Sequence, residues 1–164
     1  MTGRFTHWMR CNLSMQGYDE LSDQERRRLG PALRLSPALC LTGMTVGVVL
    51  ESPAILLAMA ATAVLGGFVT AKHPFDLIWD HGLRRLSNGP PLPPTPPPRR
   101  FACQLASVWL VAVAAAFLAG AETLGLALGV PLLLVATIVA TTNWCLPSLI
   151  HGLLGDRRIR SSTV

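Results

Sequence analysis

Residues 36–71 read SPALCLTGMTVGVVLESPAILLAMAATAVLGGFVTA, a run in which Glu51 is the only charged residue. Glu51 is followed by Ser52-Pro53, and a hydroxyl cap before a proline at the first helical position is a signal for a new helix. Ser36-Pro37 gives the same signal at the head of the run. Two apolar stretches parted by so brief a polar turn predict a helix that crosses a bilayer and an antiparallel neighbour that returns. Residues 36–71 are therefore expected to form a first transmembrane hairpin, its second helix running from Pro53 to about Ala71. The first helix is short. Fifteen or so residues cover only about 22 Å of a hydrocarbon core roughly 30 Å thick, so it must thin the bilayer, start earlier near Ala32, or be shielded by its neighbours.

Residues 101–145 repeat the layout. One apolar helix is expected from Phe101 to Ala119, a tight turn through Gly120-Ala121-Glu122-Thr123, and another helix from Leu124 to Trp144. Pro131 is expected to kink the last helix and to free a backbone carbonyl, which in lipid needs another donor. The fold class that follows is all-α: an integral membrane protein with four transmembrane helices in two antiparallel hairpins, plus interfacial helices on the cytoplasmic side. Composition agrees, since 51% of residues are apolar and only 14% charged, against roughly 25% charged in soluble domains.

The cations give the orientation. All 14 Lys and Arg residues lie between Arg4 and Arg34, between Lys72 and Arg100, or between Arg157 and Arg160. The two short connectors carry only Glu51 and Glu122. By the positive-inside rule the basic segments stay in the cytoplasm, with both termini there. The N-terminal stretch shows no charged, apolar and small-residue series of a cleaved signal peptide. The net charge of +5 is explained by topology and anionic headgroups; no nucleic-acid recognition motif accompanies it. The expected partners are the lipid bilayer and other membrane protein subunits.

Three polar segments complete the plan. Residues 1–35 form a cytoplasmic segment in which Ser22-Asp23-Gln24-Glu25 has capping-box spacing, predicting a short surface helix that stops at Gly30-Pro31. Residues 72–100 hold an interfacial helix, Pro74 to Leu86, with Phe75, Ile78, Trp79 and Leu86 on one face and Asp76, Asp80 and Arg84 on the other. Asp80 and Arg84 have the spacing of a helical ion pair. Residues 88–98 contain seven of the 13 prolines and predict a polyproline strap that leads the chain back to the third helix. Residues 146–164 are expected to be an interfacial helix and basic tail.

Small residues recur at close-packing spacing: Gly43 and Gly47, Gly66, Ala112, Ala116 and Gly120, Gly125 and Gly129. Such residues let helix backbones approach in lipid.

Chemistry-bearing residues are few. There is no phosphate loop, catalytic carboxylate pair, Ser-His-Asp arrangement or cofactor motif, and the apolar helices contain no internal ionisable side chain of the kind proton and ion carriers use. The candidate thiol or metal residues are Cys40, Cys103 and Cys145, each near a cytoplasmic helix end, with His73 and His81 at the same level. Thiolate is a nucleophile and a soft metal ligand, but no Cys-x-x-Cys or His-x-x-x-His pair occurs.

His73-Pro74-Phe75-Asp76, Arg99-Arg100-Phe101-Ala102 and Thr142-Asn143-Trp144-Cys145-Leu146-Pro147-Ser148 resemble the signatures of an uncharacterised bacterial family of small four-helix membrane proteins, a domain of unknown function (DUF4395). The resemblance implies a bacterial inner-membrane protein. It also implies a Cys-x-x-Cys at the end of the last helix, where this chain has Ser148 as the second member. The primary expectation is a structural or accessory subunit of a larger membrane complex, without catalysis. The alternative is a thiol or sulfur-handling membrane protein, and a third reading is a neutral-solute channel through Thr137, Thr141 and Gln104.

Overall fold

The computed structural model describes residues 22–69, 72–87 and 91–142, and every regular element among them is helical. Helix α1, Asp23–Val49, is 27 residues long. Ser22 and Glu25 form the expected capping box, with the Glu25 N–H donating to Ser22 Oγ at 3.4 Å and the Ser22 N–H to the Glu25 carboxylate at 2.9 Å. The Ser22 hydroxyl, which donates to the same carboxylate at 2.6 Å, and then the Ser22 N–H hold the Glu25 carboxyl below its ordinary value.

The expected stop at Gly30-Pro31 is absent, and α1 runs unbroken through Pro31 and Pro37. An internal proline costs about 3 kcal/mol, yet ending the helix there would strip Leu29, Ala32, Leu33 and Ser36 from the contacts that bury them. The continuous helix also settles the shortness of the first span, which extends over Ala32–Val49.

Helix α2 covers Pro53–Val64 and continues as a π turn, Leu65–Val69. Helix α3 follows as Pro74–Ile78, a second π turn Trp79–Leu83, and Arg84–Ser87. The chain bends by 89° between α2 and α3. Helix α4 is Pro97–Leu118 and α5 is Glu122–Thr142. Helix α4 thus begins four residues before the expected Phe101, because prolines at its first two positions lack only N–H groups that a helix start leaves unused.

The α1–α2 and α4–α5 connections have the same geometry. Each is a Schellman turn: Ser52 N donates to Gly47 O at 2.9 Å and Ala121 N to Ala116 O at 3.0 Å, with left-handed residues Glu51 (φ 47°) and Gly120 (φ 70°). Contacts link α1 with α2, α2 with α4, α4 with α5 and α5 with α1. The core between them comprises Met44 and Val48, Leu56 and Ala60, Leu110, Val113, Ala114 and Phe117, and Leu132. Large apolar side chains such as Val49, Phe68, Val108, Leu118 and Leu134 remain exposed, as the outer surface of a membrane protein requires. Among the described residues, three helices are long and apolar enough to span a bilayer, or four if α2 with its bent continuation counts as one.

The small residues divide by role. Added Cβ atoms would strike Met59 at Gly43, Leu56 at Gly47, Phe117 at Gly125 and Val48 at Gly129. Ala116 is buried, but Ala112 is exposed and Gly120 serves its turn rather than a helix contact. Gly66 meets the His73 ring instead of a facing span. The closest backbone approach is at Gly67, where a Cβ would lie 3.2 Å from Arg100 O and from Gln104 N. Gly67 O accepts from Arg100 Nε at 3.2 Å and Gln104 Nε2 at 3.1 Å, and Phe68 O from Arg100 Nη2 at 3.1 Å. Trp109 Nε1 donates to Leu128 O at 3.0 Å, beside the carbonyl that Pro131 deprives of its helical donor.

The proline strap, which has no regular secondary structure over 91–96, is more than a spacer. Leu92 is buried with Leu29, Ala32 and Leu33, against Trp79. Its N–H donates to Asp80 Oδ1 at 3.0 Å. Lys72 pairs with Asp80, in place of the Arg84 that helical spacing suggested. Burial raises the Asp80 carboxyl, but the bonds from Lys72 and the Leu92 N–H outweigh it and bring the value below the ordinary one. The expected helix after Trp144 and the basic tail lie outside the described residues.

Gly67→Ala should lower stability by about 1–3 kcal/mol, the usual cost of overpacking, whereas Gly82→Ala, with open space around it, should not. Thermal unfolding in mild detergent compares the two.

Candidate functional site

The π turn that ends α2 and the bend after it bring His73 against α1. His73 is the N-cap of α3, and Pro74 at the first helical position fixes the chain direction. Its Nδ1 accepts the Phe75 N–H at 3.3 Å and lies 3.1 Å from Ser36 Oγ. Since a backbone N–H can only donate, Nδ1 carries no proton and the neutral ring holds its hydrogen on Nε2. Nε2 is 4.0 Å from Cys40 Sγ, so the imidazole presents a donor to the thiol. The ring rests on Gly66, where any side chain would displace it.

His73 is 3% exposed. Burial is the main cause that lowers its pKa to about 4, with the Asp76 carboxylate pulling it up and Arg99 pushing it further down. Protonation would set an Nδ1–H against the Phe75 N–H, which is the structural side of the same preference. Beneath the ring, Asp76 and Arg99 form a buried pair, Oδ1 to Nη2 3.7 Å, with side chains 4% and 10% exposed. Asp76 Oδ1 has no hydrogen-bond partner. Asp76, grouped by helical spacing with Asp80 and Arg84 on the polar face, is instead buried at 3% exposure, because its carboxylate faces Arg99. Removing one member of such a pair strands a buried charge.

These groups border one cavity of about 170 Å³, whose walls include Ser36, Cys40, His73, Arg99, Cys103 and Trp109. Cys40 and Cys103 both line it, and neither is in a disulfide. Three of the five candidate residues therefore meet. His81 does not, being exposed and bonded through Nδ1 to Leu77 O of its own helix at 3.0 Å. Cys145 lies outside the described residues. No group of three or more His, Cys, Asp or Glu side chains suited to a metal occurs among the described residues. Ser36 and Arg99 were not anticipated; Ser36 read as a helix cap and Arg99 as one of many orienting cations.

Helix α5 does not carry the polar path of the channel reading. Thr137 and Thr141 are exposed and bond to Leu133 O and Thr137 O of their own helix at 2.7 Å, while Gln104 is engaged with Gly67.

Residues 30–155 match the family described as Domain of unknown function (DUF4395). The chain belongs to this family. No curated protein and no solved structure matches it. Membership in DUF4395 leaves activity open, and the Ser36–His73–Cys40 network favours a thiol function over a purely structural one.

The pH response of His73 can be measured. With a folded value of about 4 and an ordinary one of 6.5, the unfolded chain binds more protons between these limits, so stability rises with pH across the window and falls on acidification through it. The loss should reach at most about 3 kcal/mol. His73→Asn keeps a capping acceptor but cannot titrate there; denaturant unfolding from pH 6.5 to 4 should show the loss in the wild type and not in the variant.

Proposed function

We propose that this DUF4395 protein is a membrane thiol-handling protein whose reactive groups are Cys40 and Cys103. The observation that carries the reading is the aim of the His73 Nε2–H at Cys40 Sγ inside a cavity that Cys103 also lines. Thiolate is the reactive form, and apolar surroundings disfavour it. The Nε2–H donor and the Arg99 guanidinium are the groups of this cavity that offset the cost. His73 acts as a positioning donor and not as the base, since its free lone pair is occupied at Nδ1.

A dithiol oxidant tests the reading. Full-length reduced protein treated with diamide should lose two free thiols and yield a peptide linked through Cys40 and Cys103, in the wild type and in Cys145→Ser alike. A linkage made only by Cys11 or Cys145, or two thiols still free to alkylation, would defeat it. His73→Asn should slow alkylation of Cys40 without abolishing the linkage.

The topology proposed with it is four spans, with α2 as the fourth, and α3 lying along the cytoplasmic interface beside Lys72, Arg84, Arg85, Arg99 and Arg100. The 89° bend supports this arrangement. Both termini are cytoplasmic. In a cysteine-free background, Pro94→Cys and Ser161→Cys should label from the same side of the membrane and Glu51→Cys from the other; opposite labelling of the first two would refute it.

A further inference from the structure

We infer that the cavity beside Cys40 and Cys103 is a site for the ring of a quinone, which takes up the hydrogens of the two thiols. The inference rests on the thiol reading above and names its co-reactant. Size is the first ground: the cavity holds about 170 Å³, and an apolar protein cavity of about 150 Å³ admits a benzene ring. It is ring-sized, too small for a folded peptide or a whole lipid.

The lining is the second ground. Met44, Met59, Trp109, Leu110 and Leu132 form apolar walls, while Ser36, His73 and Arg99 gather the polar groups. A quinone has the same division, with two flat apolar faces and carbonyl oxygens that accept hydrogen bonds. Trp109 keeps its indole N–H on Leu128 O, leaving only ring surface for the cavity. Access is the third ground. Leu105 belongs to the lining and is 41% exposed on the outer face of α4, so the rim reaches the surface that meets lipid. A lipid-soluble reactant arrives by that route.

Charge balance is the fourth. Two S–H bonds break and one S–S bond forms, releasing two electrons and two protons. The quinone accepts both pairs at its oxygens and leaves as hydroquinone. No net charge is created, which suits a cavity where an isolated ion would be costly. A charged oxidant would have to bring its charge into the same apolar space.

The test uses decylubiquinone with reduced full-length protein in detergent, without oxygen. One equivalent of quinone should be reduced per chain, read by loss of its ultraviolet band, with two thiols lost. Reduction should disappear in Cys40→Ser and in Cys103→Ser and persist in Cys145→Ser. Ala106→Leu, which fills the cavity, should stop quinone reduction while diamide still links Cys40 to Cys103. If the quinone stays oxidised while diamide closes that link in the wild type, the quinone site is wrong and the thiol reading stands; if neither reagent links them, both fail. Undiminished reduction in Ala106→Leu would also overturn the site.

Discussion

In a bilayer every backbone N–H and C=O must find its partner inside the protein, and at the bend between α2 and α3 side chains supply partners that helical bonding does not. The solution uses three side chains. Arg100 and Gln104 of α4 donate to the carbonyls of Gly67 and Phe68, where the π turn ends. His73 accepts the Phe75 N–H that opens α3, and its own carbonyl accepts from Asp76 N at 2.8 Å. Much of the remaining architecture follows from these bonds. They require α4 to approach α2 closely, hence Gly67, and they require an imidazole under the bend, hence Gly66.

The candidate site is a consequence of the same bonds. Once Nδ1 is committed to capping, the other ring nitrogen can only donate, and α1 supplies Cys40 opposite it. A residue that closes a helix thereby becomes a residue that addresses a thiol. Arg99 shows a similar double use. It pairs with Asp76 and also borders the cavity. The neutral imidazole and the buried pair give the cavity a fixed set of polar groups, so the surroundings of the thiol follow from structural bonds the fold already needs.

The strap reaches the same end of the molecule from outside. Its Leu92 side chain joins the N-terminal part of α1, and its backbone is held by Asp80, itself tied to Lys72. Prolines suit this segment because they remove N–H groups that would otherwise need partners. The strap then enters α4 through Pro97 and Pro98 without a break, which sets Arg99 and Arg100 in the first turn of that helix and one residue apart. One turns to the cavity and the other to the α2 carbonyls.

Hydropathy and turn chemistry are local properties, and they were enough to read an all-α membrane protein, the Ser22–Glu25 cap, the two connectors at Glu51 and Gly120, and an α4 and α5 within a few residues of their ends. Local signals misled at Gly30-Pro31, where a stop was written, and at Ser36-Pro37, where a start was written, since long-range burial kept one helix through both; they misled again at Asp76, where a polar-face pattern concealed an inward pair. Cys40, Cys103 and His73 were picked out by type and level, yet 33 residues part Cys40 from His73 and 30 part His73 from Cys103 along the chain. No spacing rule joins residues so distant. Only the packing of α1, α2 and α4 around one bend brought Cys40, Cys103 and His73 to one cavity, left His81 outside it, and decided which of the two His73 nitrogens carries the proton.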